Sequence, residues 1–117
     1  MGKITLFAFL LIFSVSSCTD PKEVAESESQ EAVASVALME LGLEVYNNKA
    51  QCGMCHTLQA AGSEGQIGPN LDQLKPLMEQ VIAAVTNGIG VMPSFEGMIS
   101  SEEIEAVSYF VSTSTNQ

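Results

Sequence analysis

Reactive side chains are scarce in this sequence, and those present gather in one short run, Cys52-Gly53-Met54-Cys55-His56. Two thiols three positions apart lie on one side of a helical turn, where they can add as thioethers to the two vinyl groups of a single porphyrin. The adjacent imidazole is then carried beneath the ring to bind iron. Other uses of the same residues fit less well. A structural zinc needs four ligands, and with Cys18 engaged elsewhere only Cys52, Cys55 and His56 remain as thiolate or imidazole donors. A thioredoxin-like redox pair wants a βαβ context, which the sequence does not show. A Cys52–Cys55 disulfide would leave His56 without a purpose. One covalently attached haem c is therefore expected, and with the single histidine committed to iron no Ser/His/Asp arrangement or phosphate loop remains for hydrolysis.

The rest of the chain limits the partners. It has 117 residues, with four lysines and no arginine against fourteen acids, for a formal charge of -10. Nucleic acid is excluded as a ligand because phosphates need cations opposite them, and so is a basic membrane-surface helix. Lys3 precedes an uncharged apolar run over residues 4–15, too short to span ~30 Å of hydrocarbon and suited to the core of a signal peptide. Val15-Ser16-Ser17-Cys18 resembles the lipobox of bacterial lipoproteins, which implies removal of residues 1–17 and lipidation of Cys18. Ordinary cleavage after Ser16, with Cys18 left as a spare thiol, is the alternative. Residues 18–36 then form an acidic linker to a domain over residues 37–117. Residues 19–35 hold Pro21, one lysine and five acids but no aromatic, leucine or isoleucine, so they read as a solvated tether with an end-to-end distance of about 20 to 25 Å. Residues 30–36, rich in Ala, Val and Glu, are the part of it that can extend the first helix.

Three helices must position the motif. Leu38, Leu41 and Val45 recur at helical spacing in a first helix ending near Asn47 and Asn48. Gly42 in its middle costs ~0.5 to 1 kcal/mol relative to alanine unless another helix approaches there. Pro76 is expected in the first turn of a second helix with Leu77, Met78, Val81, Ile82 and Val85 on one face, stopped by Asn87-Gly88. A third follows Ser100, which pairs with Glu103 as a capping box, and carries Ile104, Val107 and Val111. Glu102, Glu103 and Glu105 complement its dipole, and an acidic docking surface is their functional alternative. No segment alternates with period two, and residues 58–75 read as a long glycine-containing loop.

Four blocks in order resemble the class I monohaem c-type cytochromes: Gly42 and Tyr46 before Cys52 to His56, then Gly68-Pro69-Asn70-Leu71, then Asn87-Gly88-Ile89-Gly90-Val91-Met92-Pro93-Ser94-Phe95, then a last helix bearing Tyr109. The resemblance implies an all-α, small cytochrome c fold of three main helices around one covalently bound haem. It implies that Cys52 and Cys55 hold the haem, that His56 is the proximal iron ligand with the Pro69 carbonyl on its other ring nitrogen, and that Met92 is the distal ligand. It further implies that the first and last helices cross at Gly42, with Tyr109 or Phe110 packed on it. Among the other methionines, Met39 and Met78 fall on helices, Met54 lies within the attachment turn, and Met98 is second to Met92. The implied function is one-electron transfer between membrane-bound or periplasmic redox proteins, with no small-molecule substrate and the domain held at the membrane by its lipid. Folding should depend on haem, since so small a domain has little core of its own. Two alternatives stay open: a gas-binding or peroxidase protein if Met92 is only a core residue, and a fixed subunit of a larger oxidoreductase.

Overall fold

The structure is a computed structural model that describes residues 21–117; residues 1–17 and Cys18, the expected signal peptide and lipidation site, lie outside the described residues. Its elements are α1 (Pro21–Glu44), β1 (Thr57–Leu58), β2 (Ser63–Glu64), α2 (Leu71–Leu74), α3 (Met78–Asn87) and α4 (Ser101–Thr115), with a π-helical turn at Val45–Lys49 and 3-10 turns at Cys52–Met54 and Gln59–Ala61. The all-α expectation holds. The antiparallel pairing of β1 with β2 adds two residues on each side, too few for a period-two pattern to register in the sequence.

The first helix departs most from expectation. It starts at Pro21, near the beginning of the segment read as a flexible tether, so from that residue on the linker is helical. Its residues 29–34 are exposed as foreseen. The composition that denies this stretch a core, rich in Glu and Ala, also has high helix propensity, and the two properties are independent. At its other end the regular helix stops at Glu44 and widens into the π turn, which buries Val45 and Tyr46 completely. One extra residue in that turn brings two adjacent side chains into the core.

α1 crosses α4 at Gly42. A Cβ there would sit 2.2 Å from the Ala106 carbonyl oxygen and 2.5 Å from Phe110 Cβ, so glycine is what lets the two helices approach. Phe110 and the Ala106 backbone, rather than Tyr109, meet it. Tyr46 packs edge-on to Phe110 with ring centroids 5.9 Å apart. Around this crossing Val45, Tyr46, Leu58, Leu71, Val85, Ile104, Val107, Phe110 and Val111 form the core.

α4 begins as read: the Ser100 hydroxyl accepts from Glu103 N–H at 3.2 Å while Ser100 N–H donates to Glu103 Oε2 at 2.9 Å. α3 does not. Pro76 lies outside the helix, buried, its carbonyl accepting from Asn116 Nδ2 at 3.1 Å. Leu77 is the N-cap, its N–H taken by Gln80 Oε1 at 2.9 Å. The C-terminal stop at Gly88, with φ +73°, is where the sequence puts it.

Candidate functional site

The Cys52 to His56 run is wound into a tight turn. Gln51 enters it in the left-handed region at φ 50°, and the Cys52 carbonyl accepts from both Cys55 N–H (3.1 Å) and His56 N–H (2.9 Å). Both thiols are free and partly buried. Burial pushes the Cys52 thiol up to about 11, so near neutrality it stays a neutral thiol.

Ser63, which no motif or spacing marks out, locks this turn to the core. Its hydroxyl donates to the His56 carbonyl at 3.0 Å, accepts from Leu58 N–H at 3.1 Å, and lies 3.1 Å from Tyr46 Oη. A serine has one proton, and the His56 carbonyl uses it, so the tyrosine is the donor of that last bond. Burial raises the Tyr46 phenol to about 12, which keeps it a donor throughout the working pH range. The chain that follows packs backbone to backbone on the motif: a Cβ on Gly65 would come within 2.6 Å of both the Cys55 carbonyl carbon and the Gly53 oxygen. Gly68 N–H donates to the Cys55 carbonyl at 2.8 Å.

His56 is held from two directions. Its Nδ1 lies 2.8 Å from the Pro69 carbonyl, the contact the resemblance implied. A carbonyl only accepts, so the ring proton is on Nδ1 and Nε2 is left with its lone pair bare. Gly68 lies against the ring, where a Cβ would fall 2.5 Å from Cε1. Asn70 then caps α2, its Oδ1 accepting from Gln73 N–H at 3.1 Å, and Asp72 Oδ2 takes Gln59 N–H at 2.9 Å. Both fall in the stretch read as loop: an Asn before an apolar residue is the signal that could have found the cap, whereas the Asp72 bond, thirteen residues from its partner, has no local signal.

Met92 ends a turn over residues 89–92, closed by Met92 N–H to the Ile89 carbonyl (3.0 Å) and Ile89 N–H to the Met92 carbonyl (3.1 Å). Gly90, at φ +60°, occupies the first central position, as a II′-type turn requires. Ser94 Oγ donates to the Thr86 carbonyl at 2.6 Å and Phe95 N–H to the Val85 carbonyl at 2.9 Å, tying the loop back to α3. Met92 and Cys52 are both partly buried against the same core, whereas Met54 (69% exposed) and Met98 (70%) point away from it.

The residues present suit a large apolar disc with an iron at its centre. An imidazole held by the Pro69 carbonyl, a thioether and two free thiols are the required donor types. Ile67, Leu74, Leu77, Ile89 and Val91, flanking Gly68, α2, α3 and Met92, are all more than half exposed. Among the described residues no three His, Cys, Asp or Glu side chains converge as a zinc site demands. No described helix is long and apolar enough to cross a membrane.

Residues 37–111 match the family described as cytochrome C oxidase, cbb3-type, subunit III. Cytochrome c6 of Leptolyngbya boryana is 34% identical over 74 residues, which cover 60% of this chain and 85% of the relative. Chloroplastic cytochrome c6 of Chlamydomonas reinhardtii is 33% identical over 90 residues, 68% of this chain and 57% of that one. The crystal structure of the c-type cytochrome SorU from Sinorhizobium meliloti superposes with a TM-score of 0.65 at 48% identity, covering 69% of this chain and 94% of SorU.

Proposed function

Since this chain belongs to the class I monohaem c-type cytochromes and carries one covalent haem c for electron transfer, we propose that Cys52 and Cys55 attach that haem and that His56 and Met92 are its axial ligands. The observation that carries this reading is the His56 imidazole, proton fixed on Nδ1 by the Pro69 carbonyl and ring seated on Gly68. Bound in this way, the haem supplies a centre that stores one electron as ferrous iron and releases it as ferric.

The protein's task is to keep that centre unchanged between the two states. The Pro69 carbonyl orients the imidazole and strengthens Nε2 as a donor, so the proximal bond is set before iron arrives. The Met92 thioether favours the ferrous state and raises the potential. Bound together, His56 and Met92 would leave no open position for oxygen or peroxide, and the protein would then transfer electrons without a catalysed reaction of its own.

The same reading places the domain outside the cytoplasm, tethered by lipidated Cys18 and exchanging electrons with periplasmic or membrane-bound redox proteins. From Pro21 the linker is a helix rather than a flexible cord, and at ~1.5 Å per residue a helix makes a short, stiff spacer. Labelled palmitate should enter the wild type and not Cys18→Ser. The ligand set is tested by the ferric visible spectrum of the purified holoprotein. A methionine-to-iron charge-transfer band, with carbon monoxide excluded from the ferrous form, supports it; rapid carbon monoxide binding without that band shows an open distal site instead. A second reading, a fixed subunit of a larger oxidoreductase, draws on the family description, which names an oxidase subunit. Recovery in a stoichiometric complex after detergent extraction would favour it over a mobile carrier.

A further inference from the structure

Away from the haem ligands, α3 and α4 diverge to leave a groove of about 380 Å³. Met78 and Ile82 of α3, with Ile99 and Ile104 from the other side, give it an apolar floor, and Glu96 and Glu105 stand on its rim. None of Cys52, Cys55, His56, Pro69 and Met92 lines it. Both rim residues are exposed, and neither carboxylate has an ion-pair partner among the described residues, where Lys49 is joined to Glu103. Glu103 is further spent on the Ser100 cap, and of the other carboxylates at this end of α4 Glu96 and Glu105 line the groove whereas Glu102 does not. Neither is needed to start the helix, because the capping box already does so.

We propose that this groove docks a lysine- or arginine-bearing apolar segment of a partner protein. An apolar floor takes up aliphatic side chains, and the two unpaired carboxylates select cations placed beside them. Charge decides against a second copy of this chain: at a formal charge of -10 and with no arginine, it would bring mainly carboxylates to the same rim. A partner held here leaves the surface around Cys52, His56 and Met92 free, so the groove is an attachment point separate from the place where electrons leave. The inference does not rest on the axial ligand assignments.

The test uses ¹⁵N-labelled ferrous holoprotein and three short peptides, one alternating lysine with leucine, one lysine with glycine and one glutamate with leucine. The lysine–leucine peptide should shift the amides of Ile82, Thr86, Gly97 and Ser101 saturably, and should bind more tightly than either of the others. In the double variant Glu96→Gln/Glu105→Gln its affinity should fall about five-fold, and added salt should weaken binding to the wild type. An unchanged haem spectrum in the variant shows that the fold is intact. The proposal is overturned if the variant binds as well as the wild type, if the lysine–glycine peptide binds equally tightly, or if the largest shifts fall beside Cys52 to His56 or Met92.

Discussion

The two sides of the site are built differently. On the histidine side, backbone holds backbone: Gly65 and Gly68 lie directly against the attachment turn, Ser63 ties it to Tyr46 and Leu58, and Pro69 fixes the imidazole. On the methionine side a single glycine-centred turn carries Met92, anchored behind by Ser94 and Phe95, while Ile89 and Val91 at its tip stand in solvent. His56 is thus set by folding, whereas Met92 sits on a loop that other side chains or partners can displace. Substitutions on the first side should cost the holoprotein itself, and substitutions on the second should change its potential.

The largest effect is expected at Gly68. Gly68→Val puts branched carbons where the imidazole ring lies, so the yield of haem-bearing protein should fall by an order of magnitude or more, measured as covalent haem per polypeptide. Met92→Ala should leave that yield nearly intact. It should lower the potential by a substantial part of the ~0.8 V that axial ligands span, and open the ferrous protein to carbon monoxide. Comparable losses of haem in the two variants would erase the contrast.

Smaller changes sharpen it. Gly42→Val acts far from both ligands, at the helix crossing, and overpacking there should destabilise by about 3 kcal/mol in denaturant titration while the ferric spectrum stays the same. Ser63→Ala removes the acceptor of the Tyr46 hydroxyl and of Leu58 N–H, for about 1 to 3 kcal/mol. Because it loosens the His56 carbonyl, it should also slow recovery of the haem spectrum after unfolding.

How far these features could be read from the sequence depended on how local their causes are. The Ser100–Glu103 box and the Gly88 stop lie within one helical turn and were legible; so was Gly42, as a glycine that helix propensity alone could not justify. Pro76 was misplaced because Asn116, forty residues away, holds its carbonyl outside α3. Ser63 was invisible, since its three partners come from three different elements. Residues 21–29 show the converse error, a lack of core mistaken for a lack of helix, whereas residues 30–36 extend the first helix as their Ala, Val and Glu content allowed.

The smallest effect concerns neither side of the haem. The Lys49 hydrogen bond lowers the Glu103 carboxyl below its usual range, and Glu103 in turn raises the Lys49 ammonium. Glu103 therefore contributes stability above its unfolded value that is lost as pH falls through the folded one; Lys49 contributes below its own unfolded value, and that part is lost as pH rises through the folded one. Both groups are open to water, so Glu103→Gln should flatten the acid limb only slightly and matter less in high salt, as followed by thermal unfolding against pH.

The most direct test of the ligand set is a proton spectrum of the ferrous holoprotein with ¹³C-labelled methionine methyls. A methyl group bound over the porphyrin is shifted far upfield by the ring current. The proposed ligand set predicts one such signal, missing in Met92→Ala and retained in Met98→Ala; an upfield signal that persists in Met92→Ala, or none in the wild type, would contradict it.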